Sequence, residues 1–169
     1  MNYLEYDFVV VGSGLAGLMA AYHASKYGSV AILTKAGLDV SNSYHAQGGI
    51  AAALLPDDSP QLHLQDTLEA GRGLCDVDAV EVLVTEGRER VLELIEMGMQ
   101  FDKENGEYVY GLEGGHSHRR ILHSGGDATG REMTRFMVEK VQKLKNVTPF
   151  EHTKAIELLI ENDTCRGVK

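Results

Sequence analysis

Two kinds of hydrophobic spacing alternate along this chain. Short runs of unbroken apolar residues suit strands buried on both faces, and apolar residues recurring every three or four positions suit amphipathic helices. Residues 4–11, ending in Phe8-Val9-Val10-Val11, predict a first strand buried on both faces. A helix from about Leu15 to Tyr27 follows, with Leu15, Leu18, Met19 and Tyr22 on one face and Gly28 as the C′ residue. Ser29–Thr34 predicts a second strand, and a polar loop runs from Lys35 to Gly49. Small residues and a Pro56-Asp57-Asp58-Ser59-Pro60 break then precede a helix over about 61–73. A second helix runs from about Asp78 to Met97, with Val80, Leu83, Val84, Val91, Leu94 and Ile95 at helical spacing and Gly98 as its stop. Glu104-Asn105-Gly106 predicts the turn of a hairpin over 100–110, and a polar loop spans Gly111 to Gly126. Thr129-Gly130-Arg131-Glu132 matches a capping box, so a helix should start at Gly130 and bury Met133, Phe136, Met137, Val141 and Leu144. Val147–Phe150, Ala155–Ile160 and the residues from Gly167 onward read as closing β segments.

The first strand runs directly into Gly12-Ser13-Gly14-Leu15-Ala16-Gly17, which opens the first helix. Strand, tight glycine turn and helix are the context in which a GxGxxG match signals a dinucleotide site. Gly12 permits the turn, Gly14 lets backbone approach a pyrophosphate, and Gly17 lets helix and strand pack closely. The helix N-terminus then offers unpaired N–H groups and a positive dipole end to the phosphates. The fold class expected is α/β: a Rossmann-like nucleotide-binding domain with a parallel sheet, helices and β-hairpin segments.

A length of 169 residues suits one domain with one sizeable core. The formal net charge of −9 argues against nucleic acid or an anionic membrane surface as the main partner. No apolar run is long enough for a membrane span, and Glu5 and Asp7 interrupt any signal-peptide pattern, so a cytoplasmic location is expected. Cys75 and Cys165 have no metal-type spacing and read as two reduced thiols. Arg166–Lys169 reads as a strand just returning from the turn at Glu161-Asn162-Asp163, so the chain is expected to be part of a longer one.

Three polar stretches carry candidate chemistry. The end of the second strand holds Thr34-Lys35 where an NAD site usually has an acid, and the next acid is Asp39. Lys35 suits a ribose or phosphate contact, and equally a solvated strand end. Ser41–Ala52 joins side-chain donors and acceptors to the Gly48-Gly49 pair, which suits a planar heterocycle or a phosphate, and equally a surface loop. Glu113–His123 sets His116, His118, Arg119, Arg120 and His123 close together in an acidic chain. Arginines there could grip a carboxylate bidentately, with Glu113 pairing an ammonium. A solvated basic loop is the alternative, and no metal is expected.

Gly12–Gly17, Ser43–Ala52 with its Ala-Gln-Gly-Gly-Ile-Ala-Ala core, Glu113–His123 and Asp127–Glu132 together resemble the L-aspartate oxidase family. That family lies within the succinate dehydrogenase/fumarate reductase flavoprotein superfamily. The glycine turn is common to many nucleotide proteins. The Glu-Gly-Gly-His-Ser-His-Arg-Arg segment is much more particular to aspartate oxidases.

The resemblance implies noncovalent FAD. Within the cofactor-binding turn Gly12 to Gly17, its pyrophosphate would lie at Ser13, Gly14, Leu15 and Ala16, with Lys35 near the adenosine. Asn42, Ser43, Tyr44, His45, Ala46, Gln47, Gly48 and Gly49 would run along the flavin, and Lys154 and Ala155 near the adenine. Asn42 stands where succinate dehydrogenases carry the flavin-linked histidine, so no covalent link is implied. Glu113, His116, His118, Arg119 and Arg120 would face the substrate. The implied reaction converts L-aspartate to iminoaspartate with O2 or fumarate as acceptor, in quinolinate and NAD biosynthesis, with quinolinate synthase as a partner. A fumarate reductase or succinate dehydrogenase flavoprotein is the alternative within the superfamily, and a noncatalytic nucleotide-binding module the alternative outside it. The whole chain, 1–169, would be the N-terminal part of the FAD-binding domain, without the capping and C-terminal helical domains. Little activity and weak FAD affinity are expected of it alone.

Overall fold

The computed structural model describes residues 3–169. In chain order the elements are β1 (Phe8–Val11), α1 (Leu15–Ala24), β2 (Val30–Leu33), β3 (Ile50–Ala51), α2 (Pro60–Gly71), α3 (Val77–Glu96), β4 (Lys103–Glu104) and β5 (Glu107–Tyr108). There follow β6 (Tyr110–Gly111), β7 (Ile121–Leu122), a 3-10 turn (Gly126–Ala128), α4 (Thr129–Gln142), β8 (Val147–Phe150), β9 (Leu158–Glu161) and β10 (Thr164–Val168). They fall into two units, one of residues up to Ala46 together with 130–169, the other of 47–129.

The first unit is built on a parallel sheet in the order β1-β2-β8. Phe8 pairs with Val30, and Val30 in turn with Val147. β2 is the central strand, and Val30, Ala31 and Ile32 are buried, as its unbroken apolar run requires. β1 has the same kind of sequence but is not buried on both faces as expected. Among the described residues it is an edge strand with β2 as its one neighbour, and Phe8, Val9 and Val11 remain 39–57% exposed.

α1 ends at Ala24, three residues earlier than its apolar spacing suggests, and buries Leu18 and Ala21. Gly28 does not cap it in a left-handed conformation. Its lack of a side chain serves a close approach: a Cβ there would lie 2.6 Å from the Asp7 carboxylate, which accepts from the Ser29 N–H and hydroxyl at 2.7 Å each. α4 buries Met133, Met137 and Val141, while Phe136 and Leu144 are half-buried. β9 and β10 form an antiparallel hairpin through Asn162 and Asp163, both at positive φ. Its second strand starts at Thr164, earlier than expected.

In the second unit, α2 starts where Ser59 Oγ accepts the Leu62 N–H at 3.2 Å, with Pro60 in its first turn. Arg72 ends it in the left-handed region. α3 starts at Asp76, whose carboxylate accepts from Ala79 N, and ends at Gly98 with φ +101°. Its buried stripe is Val80, Val84, Val91 and Leu94; Leu83 is 65% exposed and lies outside it. The hairpin β4–β5 forms as expected, with Asn105 and Gly106 both at positive φ.

The stretch Gly111–Gly126 is not purely a loop. Its apolar pair Ile121-Leu122 forms β7, the middle of a small antiparallel sheet β3-β7-β6, and both residues are buried. The polar neighbours on either side hide so short a strand from any periodicity test. Among the described residues, no helix is long and apolar enough to cross a membrane. Cys75 and Cys165 are free thiols.

Candidate functional site

The turn after β1 is shaped by contacts that only glycine permits. Gly12 has φ +106°, a conformation L side chains rarely adopt. Gly17 sits directly under it: a Cβ on Gly17 would come within 2.1 Å of the Gly12 carbonyl oxygen. The loss of that side chain lets α1 begin hard against the end of β1. Ser13 points inward, and its hydroxyl shares a 3.0 Å hydrogen bond with the Thr34 hydroxyl at the end of β2. The turn is thereby tied to the tip of the neighbouring strand.

The N-terminus of α1 suits an anion. Gly14 is the N-cap and brings no capping side chain, and no acidic residue lies in the first turn. The Leu15 N–H finds a partner from elsewhere in the chain, donating to Ser43 Oγ at 3.1 Å. Gly14 is tightly flanked by the same hydroxyl, since a Cβ there would lie 3.3 Å from it. Ser43 thus stands beside the glycine turn.

Residues 41–46 form a compact run of turns, with Tyr44, His45 and Ala46 each donating N–H to the carbonyl three residues back. α4 begins on this run. Gly130 N–H donates to the Ala46 carbonyl at 3.2 Å, and a Cβ on Gly130 would fall 2.2 Å from the Ser43 carbonyl oxygen. Sequence reasoning missed this role of Gly130. The signal available was a glycine in the first turn of a helix, where propensity disfavours it. The expected capping box does not form: Thr129 already has helical dihedrals, and its hydroxyl accepts from Ser124 N at 3.1 Å.

Gly48 and Gly49 differ in their demands. Gly48 has φ +75° with open space around it. Gly49 has a use within the protein, since a Cβ there would lie 2.3 Å from the Ile121 side chain and 2.5 Å from the Leu122 carbonyl. It permits the close pairing of β3 with β7. Asn42, His45, Ala46 and Gln47 are exposed. Lys35 is exposed just past β2, and the segment leading to Lys154 and Ala155 is held there by the Thr153 N–H donating to the Thr34 carbonyl at 2.8 Å.

The basic segment is reorganised relative to expectation. Arg120 is not placed to grip a substrate carboxylate, because its side chain is wholly buried and its Nε, Nη1 and Nη2 are all engaged within the protein. Nε and Nη2 donate to the two Asp58 oxygens at 2.8 Å each, a bidentate pair. Nη1 donates to Asp66 Oδ2 at 2.7 Å. Asp66 also accepts from the Ser117 N–H and hydroxyl at 2.8 Å each. Burial works to raise both aspartates, but it is outweighed. For Asp66 the Ser117 and Arg120 donors bring the carboxyl down to about 2. For Asp58 the Arg120 guanidinium and the Ser59 N–H bring it below the ordinary carboxylate value.

The other cationic groups remain nearer the surface. His118 Nδ1 lies 2.8 Å from the Ser117 hydroxyl. Arg119 is exposed and donates to the Tyr110 carbonyl at 3.2 Å. Glu113 is exposed at an ion-pair distance of 3.6 Å from His123 Nε2. His63, on α2, was not singled out in the sequence. It is buried, its ring centroid is 5.5 Å from that of His116, and its Nδ1 has no hydrogen-bond partner. Burial pushes its imidazole down, and the positive charge of Arg120 adds to this, so His63 is held neutral. Among the described residues, no group of histidine, cysteine and acidic side chains could hold a metal ion.

A parallel βαβ unit, a glycine-shaped turn and an uncapped helix N-terminus define a dinucleotide-binding domain of the Rossmann type. Comparison with known proteins narrows this. The family model described as FAD binding domain matches residues 7–169, and the chain belongs to that family; its cofactor is FAD. The open helix N-terminus and the glycine cradle fit the diphosphate of that group.

The chain is 54% identical over 163 residues to the chloroplastic L-aspartate oxidase of Oryza sativa subsp. japonica, covering 96% of this chain and 24% of that protein. It is 48% identical over 157 residues to the L-aspartate oxidase of Streptomyces coelicolor, covering 92% and 27% respectively. Among solved structures it resembles a mutant FrdA of E. coli quinol fumarate reductase, with a TM-score of 0.91 at 26% identity, covering 99% of this chain and 29% of that one. Mycobacterium smegmatis Sdh1 matches with a TM-score of 0.90 at 30% identity, covering 99% and 31%. The chain spans about a quarter of the length of the curated relatives it matches.

Proposed function

We propose that this chain is the nucleotide-binding portion of an FAD-dependent L-aspartate oxidase, converting L-aspartate to iminoaspartate with O2 or fumarate as acceptor. The observation that carries this is that one chain, 48–54% identical to proteins of that name, has both the glycine-shaped α1 terminus and a Glu113–His123 segment. Bound FAD supplies the two-electron acceptor.

The chain's own residues bind and orient. The turn Gly12–Gly17 and the free amides of α1 receive the pyrophosphate, with Lys35 toward the adenosine and Lys154 and Ala155 toward the adenine. Asn42–Gly49 lie along the flavin, and Asn42 offers an amide that cannot form a covalent flavin link. Glu113 pairs with the substrate ammonium. His116, His118 and Arg119 serve the carboxylates, while Arg120 serves the protein. A cytoplasmic or plastid location and a downstream quinolinate synthase follow from the same reading.

Aspartate-dependent peroxide release by the polypeptide carrying this chain, with FAD added, is the test. Turnover of aspartate well above that of succinate is expected. A preference for succinate or fumarate would favour the alternative, a fumarate reductase or succinate dehydrogenase flavoprotein. Failure to bind FAD at all would end both readings.

A further inference from the structure

Arg120 reaches a third partner besides its two carboxylates. Its Nη1 lies 3.2 Å from His116 Nδ1. A guanidinium offers donors and no acceptor, so Nδ1 must accept and carries no proton. The ring's single proton then sits on Nε2.

The groups facing His116 reinforce this state. From α2 comes the His63 ring, its centroid 5.5 Å away, and Asp66 and Asp58 hold the Arg120 that His116 meets. From its own segment come Ser117, His118 and Arg120. Neither aspartate competes for a proton on Nδ1. Asp58 is spent on the guanidinium, and Asp66 accepts from Ser117 and Arg120. Arg120 is itself immovable, being wholly buried and clamped bidentately.

We propose that Arg120 is a positioning residue that fixes His116 as the neutral Nε2–H tautomer, so that this histidine presents a hydrogen-bond donor to a substrate carboxylate and cannot serve as a base. The carboxylate half of this rests on the aspartate oxidase reading; the tautomer half does not. It separates two duties within one segment. His116 can recognise an anion but cannot take a proton from an ammonium, which leaves proton acceptance to groups such as Glu113.

Long-range 1H–15N correlation spectra of the 15N-histidine-labelled protein read the tautomer directly, with the H116Q variant assigning the signal. The expected pattern is an unprotonated Nδ1 and a protonated Nε2 at pH 7. A protonated Nδ1, or an imidazolium, overturns the proposal. In R120K, which keeps the charge but loses the planar fork, the ring is expected to relax to a mixture of tautomers. Should R120K fail to fold, the wild-type spectrum decides alone.

The recognition half is read from aspartate kinetics. H116F should raise KM roughly tenfold, about 1.4 kcal/mol, with a smaller change in kcat, and H116Q, which restores an N–H donor, should recover most of it. Equal KM values in all three proteins would refute carboxylate recognition. A correct tautomer in the full polypeptide carrying this chain, without aspartate turnover, would overturn the proposed function and leave the tautomer assignment standing.

Discussion

The two units of this chain hold polar groups in place by opposite means. The unit containing β1, α1 and β2 does it with backbone, and its determinants are missing side chains at Gly12, Gly14 and Gly17. The unit spanning 47–129 does it with side-chain charge, through Arg120 clamped between Asp58 and Asp66. Backbone devices tolerate pH and salt but not volume. Charge devices should tolerate small changes of volume nearby but not loss of a partner.

The sharpest way to break this contrast is Arg120→Ala. It leaves two carboxylates facing a hole, and a loss of about 3–5 kcal/mol in urea unfolding is expected. Wild-type stability in this variant would mean that water replaces the guanidinium at little cost. Gly17→Ala attacks the other device. Its methyl group collides with the Gly12 carbonyl oxygen, so about 1–3 kcal/mol of stability should go, together with roughly tenfold or more in FAD affinity by fluorescence titration. Unchanged FAD binding would show that the turn is looser than its geometry implies.

A pH series sharpens the comparison further. Asp66 is lowered from 3.8 to about 2 on folding, so its contribution is whole above the ordinary carboxylate value. It should be lost as pH falls from about 4 toward 2. Asp66→Asn should flatten that stretch of the stability curve, and a parallel curve would reassign the acid sensitivity to other groups. Ser43→Ala removes the partner of Leu15 N–H and should cost about 1 kcal/mol. Val11→Lys should change stability by less than about 0.5 kcal/mol, yet lower any concentration-dependent light scattering, because it places a charge on the open face of β1. Scattering unaltered by the lysine would point to the apolar β9–β10 hairpin instead.

What could be read from the residues follows the same division. The glycine turn was legible because backbone chemistry leaves a local mark: Gly12 and Gly17 are five positions apart and touch each other. The helices over 60–71, 77–96 and 129–142 announced themselves by apolar period and by Gly98 at one end, while the caps Ser59 and Asp76 came to light only in the structure. The fate of Arg120 was not legible. Its partners lie 62 and 54 residues away on other elements, and an arginine inside a His/Arg-rich run looks solvent-facing until the fold buries it. His63 was hidden for the same reason. β1 misled in the other direction, since an apolar run reports the capacity for burial and not its completion by a neighbour on each side.

The run of turns at 41–46 is held at two points by helix starts: Ser43 receives the first amide of α1, and Ala46 receives that of Gly130 in α4. Inserting or deleting even one residue there would rotate one anchor out of reach of the other. Length variation among homologous chains should therefore skip this hexapeptide and collect in the tip of the β4–β5 hairpin, where Asn105 and Gly106 answer to nothing but their own turn.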